Sequence, residues 1–308
     1  MTNQNLTDSE MRDARFAALA EAPFVRAGSS AGRFGASVSA LRDVLSQREM
    51  LGLLVRRDLK ARYKDSALGF VWSLVRPLTQ LVIYYVVIGR FLGAANGTPD
   101  FAVYVFTGLT VFTLFNEIVS GGTSSIVGNA GLIKKIYLPR EIFPLASVGS
   151  ALFNFLIQFT ILVVFTIVIG KIPIHPGLVF LIPSFLLIVV MATAFGILLS
   201  ALNVYLRDIQ YLVEVGMMLL MWASPIVYPW SFVQKALGNG LLLDIYTDNP
   251  ITLAVLGFQK AMWVSGEDLP SPEWLMPRIL IAIVVGLVML VGFQRVFARL
   301  QGNFAQEL

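Results

Sequence analysis

Ile142-Phe-Pro-Leu-Ala-Ser-Val-Gly-Ser-Ala-Leu-Phe-Asn-Phe-Leu-Ile-Gln-Phe-Thr-Ile-Leu-Val-Val-Phe-Thr-Ile-Val-Ile-Gly170 runs for 29 residues between Glu141 and Lys171 without an Asp, Glu, Lys or Arg. A helix crosses the roughly 30 Å hydrocarbon core of a bilayer with about 20 predominantly apolar residues, so this stretch alone places the chain in a membrane. Working outward, 35 uncharged residues separate Lys171 from Arg207, interrupted by the turn Pro173-Ile-His-Pro-Gly177, and 20 separate Glu214 from Lys235. Another 16, rich in Leu, Ile and Val, lie between Arg278 and Arg295. The 16 between Asp100 and Glu117 become a span if the helix continues through Glu117 to Gly121. Phe70 to Leu92 is the least apolar candidate: Arg76 lies about two turns from its start, and Arg90 can snorkel to the interface. These intervals predict an all-α membrane protein with six spans, at 70–92, 101–121, 142–170, 177–203, 211–230 and 278–297.

Composition agrees, with 56% of the 308 residues apolar and 14% charged, against about 25% charged in soluble domains. One membrane domain, 46–308, is expected to follow a polar, partly disordered tail, 1–45, that lacks the apolar stretch of a signal peptide. The absence of cysteine excludes disulfides and thiolate metal sites. The net charge of +4 comes from basic residues beside apolar segments, which argues against a nucleic-acid partner. It also sets the orientation. With 1–69, 121–141, 203–210 and 298–308 in the cytoplasm, 16 of the 23 Lys and Arg lie there and both termini are cytoplasmic. The opposite loop, Trp230 to Pro277, carries two basic residues against five acids. Within it, 237–246 and 250–263 are apolar but too short to span. They read either as re-entrant helices forming a lid over an outer exit or as a hairpin lying on the membrane surface.

Ahead of the first span, Leu51, Leu54, Val55 and Leu59 share one helical face while Arg56, Arg57, Lys60 and Lys64 lie largely elsewhere. Such a helix, 48–66, suits the inner interface, as an anchor to anionic lipid or as a docking surface for an anionic substrate or cytoplasmic partner. No phosphate-binding loop occurs, since Gly128 to Lys135 lacks the second glycine and the hydroxyl, so the chain holds no ATPase site of that kind. The single histidine, His175, reads as a loop residue, and no metal site is expected. Arg76, Glu117 and Glu214 are the ionisable groups well inside the spans, near the cytoplasmic ends, which favours local ion pairing or coupling to a partner over a midplane proton path.

Four separated stretches resemble the ABC-2-type permeases that export lipid-linked polysaccharides and teichoic acids. Asp58-Leu-Lys-Ala-Arg-Tyr-Lys-Asp-Ser-Ala-Leu-Gly-Phe-Val-Trp-Ser-Leu-Val-Arg-Pro77 is similar to that family's interfacial helix, its Leu68-Gly69 turn and the start of span one. Asn129-Ala-Gly-Leu-Ile-Lys-Lys-Ile-Tyr-Leu-Pro-Arg-Glu-Ile-Phe-Pro144 is similar to the coupling helix between spans two and three. Asn203-Val-Tyr-Leu-Arg-Asp208 with Ser224-Pro-Ile-Val-Tyr-Pro229 is similar to the connection of spans four and five, and Asn249-Pro-Ile to the outer gate. The resemblance covers residue 48 to the end and implies a half-transporter of a bacterial inner membrane. Two copies form the path as a homodimer, and two copies of a separate nucleotide-binding subunit hydrolyse ATP with Mg, leaving this chain without a cofactor.

On that reading Lys134, Lys135, Ile136, Tyr137, Leu138, Pro139 and Arg140 form a short amphipathic knob for the ATPase to grip, with Pro139 limiting its length. Arg56, Arg57, Lys60, Arg62, Leu68, Gly69 and Arg76 would receive the charged end of a polyprenyl-diphosphate-linked glycan. Trp72, Tyr84, Tyr85, Trp222 and Tyr228 are the aromatics expected to line the path, since sugar faces slide on rings that carry no fixed charge. Asn249, Pro250 and Phe258 would form the outer gate, and membrane lipids surround the rest. The glycan, whether O-antigen, capsule, teichoic acid or cell-wall galactan, stays open. The alternatives are an ATP-independent secondary transporter or lipid-glycan flippase, which calls for midplane charges and an inverted repeat, and a membrane-bound glycosyltransferase, which calls for metal-binding carboxylates.

Overall fold

The computed structural model describes residues 47–63, 72–135 and 138–308. The amino-terminal tail, the end of the helix expected at 48–66, Leu68, Gly69, Ile136 and Tyr137 lie outside the described residues, as do the side chains of Arg62 and Arg76. Among the described residues all regular structure is helical. Helix α1 is Arg48–Tyr63, and α2 is Trp72–Tyr84, continued by a π-helical segment, Tyr85–Phe91. Then come α3, Phe101–Gly128, α4, Ile142–Val168, α5, Leu181–Tyr205, and α6, Ile209–Trp222. The chain ends with α7, Trp230–Leu237, α8, Leu241–Thr247, α9, Pro250–Met262, α10, Leu275–Leu300, and the short α11, Phe304–Glu307.

Among the described residues four stretches are long and apolar enough to cross a membrane: Phe101–Gly128, Ile142–Val168, Pro176–Tyr205 and Leu275–Asn303. The span expected at 101–121 does pass through Glu117, and continues to Gly128. The stretch expected at 211–230 is helical only to Trp222. Its 14 residues reach about 21 Å at 1.5 Å per residue, and the cause of the early stop is the Ser224-Pro225 step, which disfavours helical backbone before the proline. The apolar stretch of α2 and its π segment, Pro77–Phe91, is likewise short. Helices α8 and α9 are bent by 73° at the Asp248-Asn249 break, where Asn249 Oδ1 accepts from the Ile251 amide and Pro250 opens the new helix.

Helix α3 is the centre of the bundle, packed by α4, α5 and α9 and buried over most of its length. Its approach to α5 depends on two facing glycines: a Cβ on Gly122 would stand 2.9 Å from the Gly196 Cα. Small residues permit such closeness where lipid supplies no hydrophobic drive between helices. Next to this crossing Asn203 Nδ2 donates to the Thr123 carbonyl at 3.0 Å, fixing the register of α5 on α3. A second apolar cluster, including Leu54, Ile126, Ile142, Phe143, Phe297 and Phe304, gathers α1, α3, α4, α10 and α11 at the opposite end from the α8–α9 bend.

Candidate functional site

At the bend end, the Ser224–Pro229 segment leaves α6 as irregular backbone, and its carbonyls need donors that helical neighbours would otherwise supply. Side chains provide them. Tyr104, wholly buried on α3, places its hydroxyl 2.6 Å from the Pro225 carbonyl and 2.8 Å from that of Tyr228, so one proton serves either oxygen. Gln259 Nε2 on α9 donates to the same Pro225 carbonyl at 2.9 Å. The Tyr228 hydroxyl donates back to the Trp222 carbonyl, closing the end of α6, and the Tyr246 hydroxyl of α8 donates to that of Tyr228 at 3.2 Å. The turn can sit this close because Gly108 has no side chain; a Cβ there would lie 3.2 Å from the Ile226 Cα. Tyr104, Gln259 and Tyr246 thus clamp the turn after α6 to α3, α9 and α8. Sequence reasoning selected Tyr228 for its ring and missed Tyr104 and Gln259 as donors; the signal was a buried polar atom inside an apolar helix.

The two arms of the bent pair differ. Helix α9 is buried along nearly all its length, whereas α8 exposes Leu241, Leu242 and Ile245. Phe258, expected in an outer gate, is fully enclosed with its ring edge-on to Phe155 at 6.1 Å, a packing position. Asn249 and Pro250 form the corner. Arg278 on α10 reaches both acids of the exposed arm, Asp244 at 2.8 Å and Asp248 at 2.7 Å. His175, read from sequence as a loop residue, is also a strut: Nδ1 accepts from the Gly177 amide while Nε2 stands 3.0 Å from the Ala261 carbonyl at the end of α9.

Of the five aromatics assigned to a path, Tyr228 and Trp222 are joined where α6 ends. Trp72 and Trp222 are half exposed, and the Tyr84 hydroxyl meets Met221 Sδ at 3.7 Å, joining α2 to α6. Tyr85 turns instead toward Arg90, whose guanidinium lies 5.7 Å from its ring centre. Helix α6 is exposed on several sides, including Tyr211, Leu212, Glu214, Met218 and Leu219. Glu117, expected near the end of its span, stands eleven residues short of Gly128 and accepts from Asn154 Nδ2 of α4 at 2.6 Å.

At the other end, α1 turns Met50, Leu51, Leu54 and Val55 onto the second cluster and leaves Arg56, Arg57 and Lys60 exposed. A Cβ on Gly149 of α4 would lie 2.7 Å from Val55, so the seat of α1 depends on that glycine. Arg57 is paired with Asp58 at 2.8 Å. Between α3 and α4 the chain makes one helical turn, Ala130–Ile133, then exposes Lys134 and Lys135. Leu132, Ile133 and Leu138 pack inward on the same cluster, and Arg140 lies over the Phe304 ring at 5.6 Å. The described part of the knob is therefore a rooted loop with two lysines at its tip.

The family model described as "ABC-2 type transporter" matches residues 49–263. The chain is 28% identical over 272 residues to the O-antigen export system permease protein RfbA of Myxococcus xanthus, covering 88% of this chain and all of that protein. It is 30% identical over 262 residues to the RfbA of Klebsiella pneumoniae, covering 84% and 95%. A more distant match, 21% over 204 residues, is to the polysialic acid transport protein KpsM of Escherichia coli, covering 64% of this chain and 76% of that one.

Proposed function

We propose, because this chain belongs to the ABC-2 type transporter membrane family, that it is the permease subunit of an ATP-driven exporter moving a lipid-linked polysaccharide out of the cytoplasm. The observation that carries this is the coextensive match to O-antigen export permeases, which includes both the rooted loop and the clamped turn. The chain forms a homodimer in the inner membrane, both termini cytoplasmic, and two copies of a separate ATPase subunit bind ATP and Mg below it. Six crossings result if α2 and α6 also span. The 21 Å reach of α6 then suffices because the chain finishes its crossing as the Ser224–Pro229 turn, whose carbonyls are satisfied by Tyr104 and Gln259 within the protein. The α8–α9 pair re-enters from the outer side, its buried arm packed on α3, α5 and α10.

Lys134 and Lys135 meet the ATPase, and exposed Arg56, Arg57 and Lys60 on α1 receive the diphosphate. Depleting the chain in its host should leave a polyprenyl-linked glycan accumulating on the cytoplasmic side, read by mass spectrometry and by its resistance to externally added glycosidase. Normal surface polysaccharide with no such accumulation would overturn the assignment.

A further inference from the structure

A cavity of about 640 Å³ lies beside the bundle between α2, the 92–100 connection, the start of α3 and the end of α4. It is within the size range of small-ligand sites, about 300 to 1,000 Å³. Its polarity is graded. Arg90, Asn96, Thr98 and Asp100 line the part nearest the connection, while Leu81, Val82 and Phe165 line the part deeper along α2 and α4. Beside it Ile83, Phe91, Leu92 and Val168 are exposed apolar residues that bilayer lipid would cover.

Two details point to an anionic headgroup at the polar end. Arg90 has no carboxylate partner among the described residues, and the nearby Asp100 is engaged by the Ser265 hydroxyl. The second detail is helical winding. Residues 85 and 90 would be about 140° apart on an α-helix, but the π segment Tyr85–Phe91 winds more slowly and brings Arg90 over the Tyr85 ring. Such π turns recur at functional sites. The segment also fits Gly89 against Phe101, where a Cβ would stand 2.8 Å from the ring.

We propose that this cavity binds an anionic glycerophospholipid from the leaflet at the α8–α9 end. The phosphate sits on Arg90, and an acyl chain runs along Leu81, Val82 and Phe165. A guanidinium at one end of an apolar slot aligned with the helices matches an amphiphile with a charged head. The inference rests on the chain's being embedded in a membrane but not on what it exports, so lipid retention by purified protein reports on it separately.

The test is native mass spectrometry of the full chain, titrated with phosphatidylglycerol or phosphatidylcholine of matched acyl chains. The wild type should retain phosphatidylglycerol about tenfold more tightly, the scale of one charge-assisted contact. Arg90→Gln should abolish that preference, and Arg90→Lys should keep part of it. Leu81→Trp, which fills the slot, should lower retention of both lipids. Equal retention of the two lipids by the wild type, or a preference that survives Arg90→Gln in a monodisperse protein, would overturn the proposal. So would a photo-cross-linker at Asn96 that captures a second copy of the chain instead of lipid.

Discussion

Tyr104 concentrates more of this molecule's design than any residue chosen for its chemistry. It is fully buried, edge-on to Trp263 at 4.8 Å, and its hydroxyl faces two carbonyls that have left helical geometry. Tyr104→Phe keeps the ring and removes the proton. Pro225 retains Gln259 as a donor, so the loss is expected to be about 1 to 2 kcal/mol. Tyr104→Phe combined with Gln259→Leu leaves the Pro225 carbonyl with no donor and should cost more than the sum of the single changes, measured as thermal unfolding in detergent. Strict additivity would show that the two side chains do not share one carbonyl. The contrast with Phe258 shows what could be read in advance. Polar atoms in apolar helices announce that a partner exists, but a sequence cannot name a partner 155 positions away, as Gln259 is from Tyr104. A ring such as Phe258 announces only burial.

Among the elements, the long, largely apolar helices α3, α4, α5 and α10 were legible because an apolar run of bilayer length suits a membrane and little else. Helix α6 was overextended because charge spacing counts residues and is blind to a proline turn that protein donors make tolerable. Of the four apolar residues expected to share a face of α1, Leu51, Leu54 and Val55 lie on the second cluster. The rooted loop yields a sharp expectation. Leu138 packs inward, so Leu138→Asp should unseat the whole loop, whereas Lys134→Glu with Lys135→Glu should leave it folded and reverse only the charge at its tip. If this loop holds the ATPase, both variants should lose co-purification of that subunit, but only Leu138→Asp should lower the unfolding temperature. Retention of the subunit by the double glutamate variant would remove the lysines from the interface. The exposed arm α8 yields another expectation. Ion pairs at this exposure are worth about 1 kcal/mol or less, so Arg278→Ala should barely change stability while releasing α8 from α10. The chain has no cysteine, so Ile245→Cys supplies a clean label, and maleimide should modify it faster in the Arg278→Ala background. Unchanged labelling would show that α8 is held by its other contacts.

The whole molecule leaves one face unexplained by lipid alone. On α10, Ile281, Val284 and Val288 are exposed and purely apolar, as a lipid-facing surface should be. The exposed surface of α6 is different: Tyr211, Leu212, Met218 and Leu219 share it with Glu214. A carboxylate at the centre of a lipid-facing helix costs about 2.5 to 3.5 kcal/mol on insertion scales, and less toward the end, where Glu214 lies. Lipid is therefore a less favourable cover for α6 than for α10, and a second copy of the chain, or an aqueous path between two copies, a more favourable one. The half-exposed Trp222 and the Tyr84–Met221 contact put aromatic residues where α2 meets α6. The six crossings proposed for one chain would be few for a conduit wide enough for glycan, and two copies meeting along α2 and α6 would enclose it with rings and a carboxylate facing inward. Met218→Cys should then give a dimer with a short bis-maleimide in membranes, and Val288→Cys should give none, despite similar exposure in the single chain. Cross-linking from position 288 without any from position 218 would place the second copy on the opposite side of the bundle and return α6 to lipid.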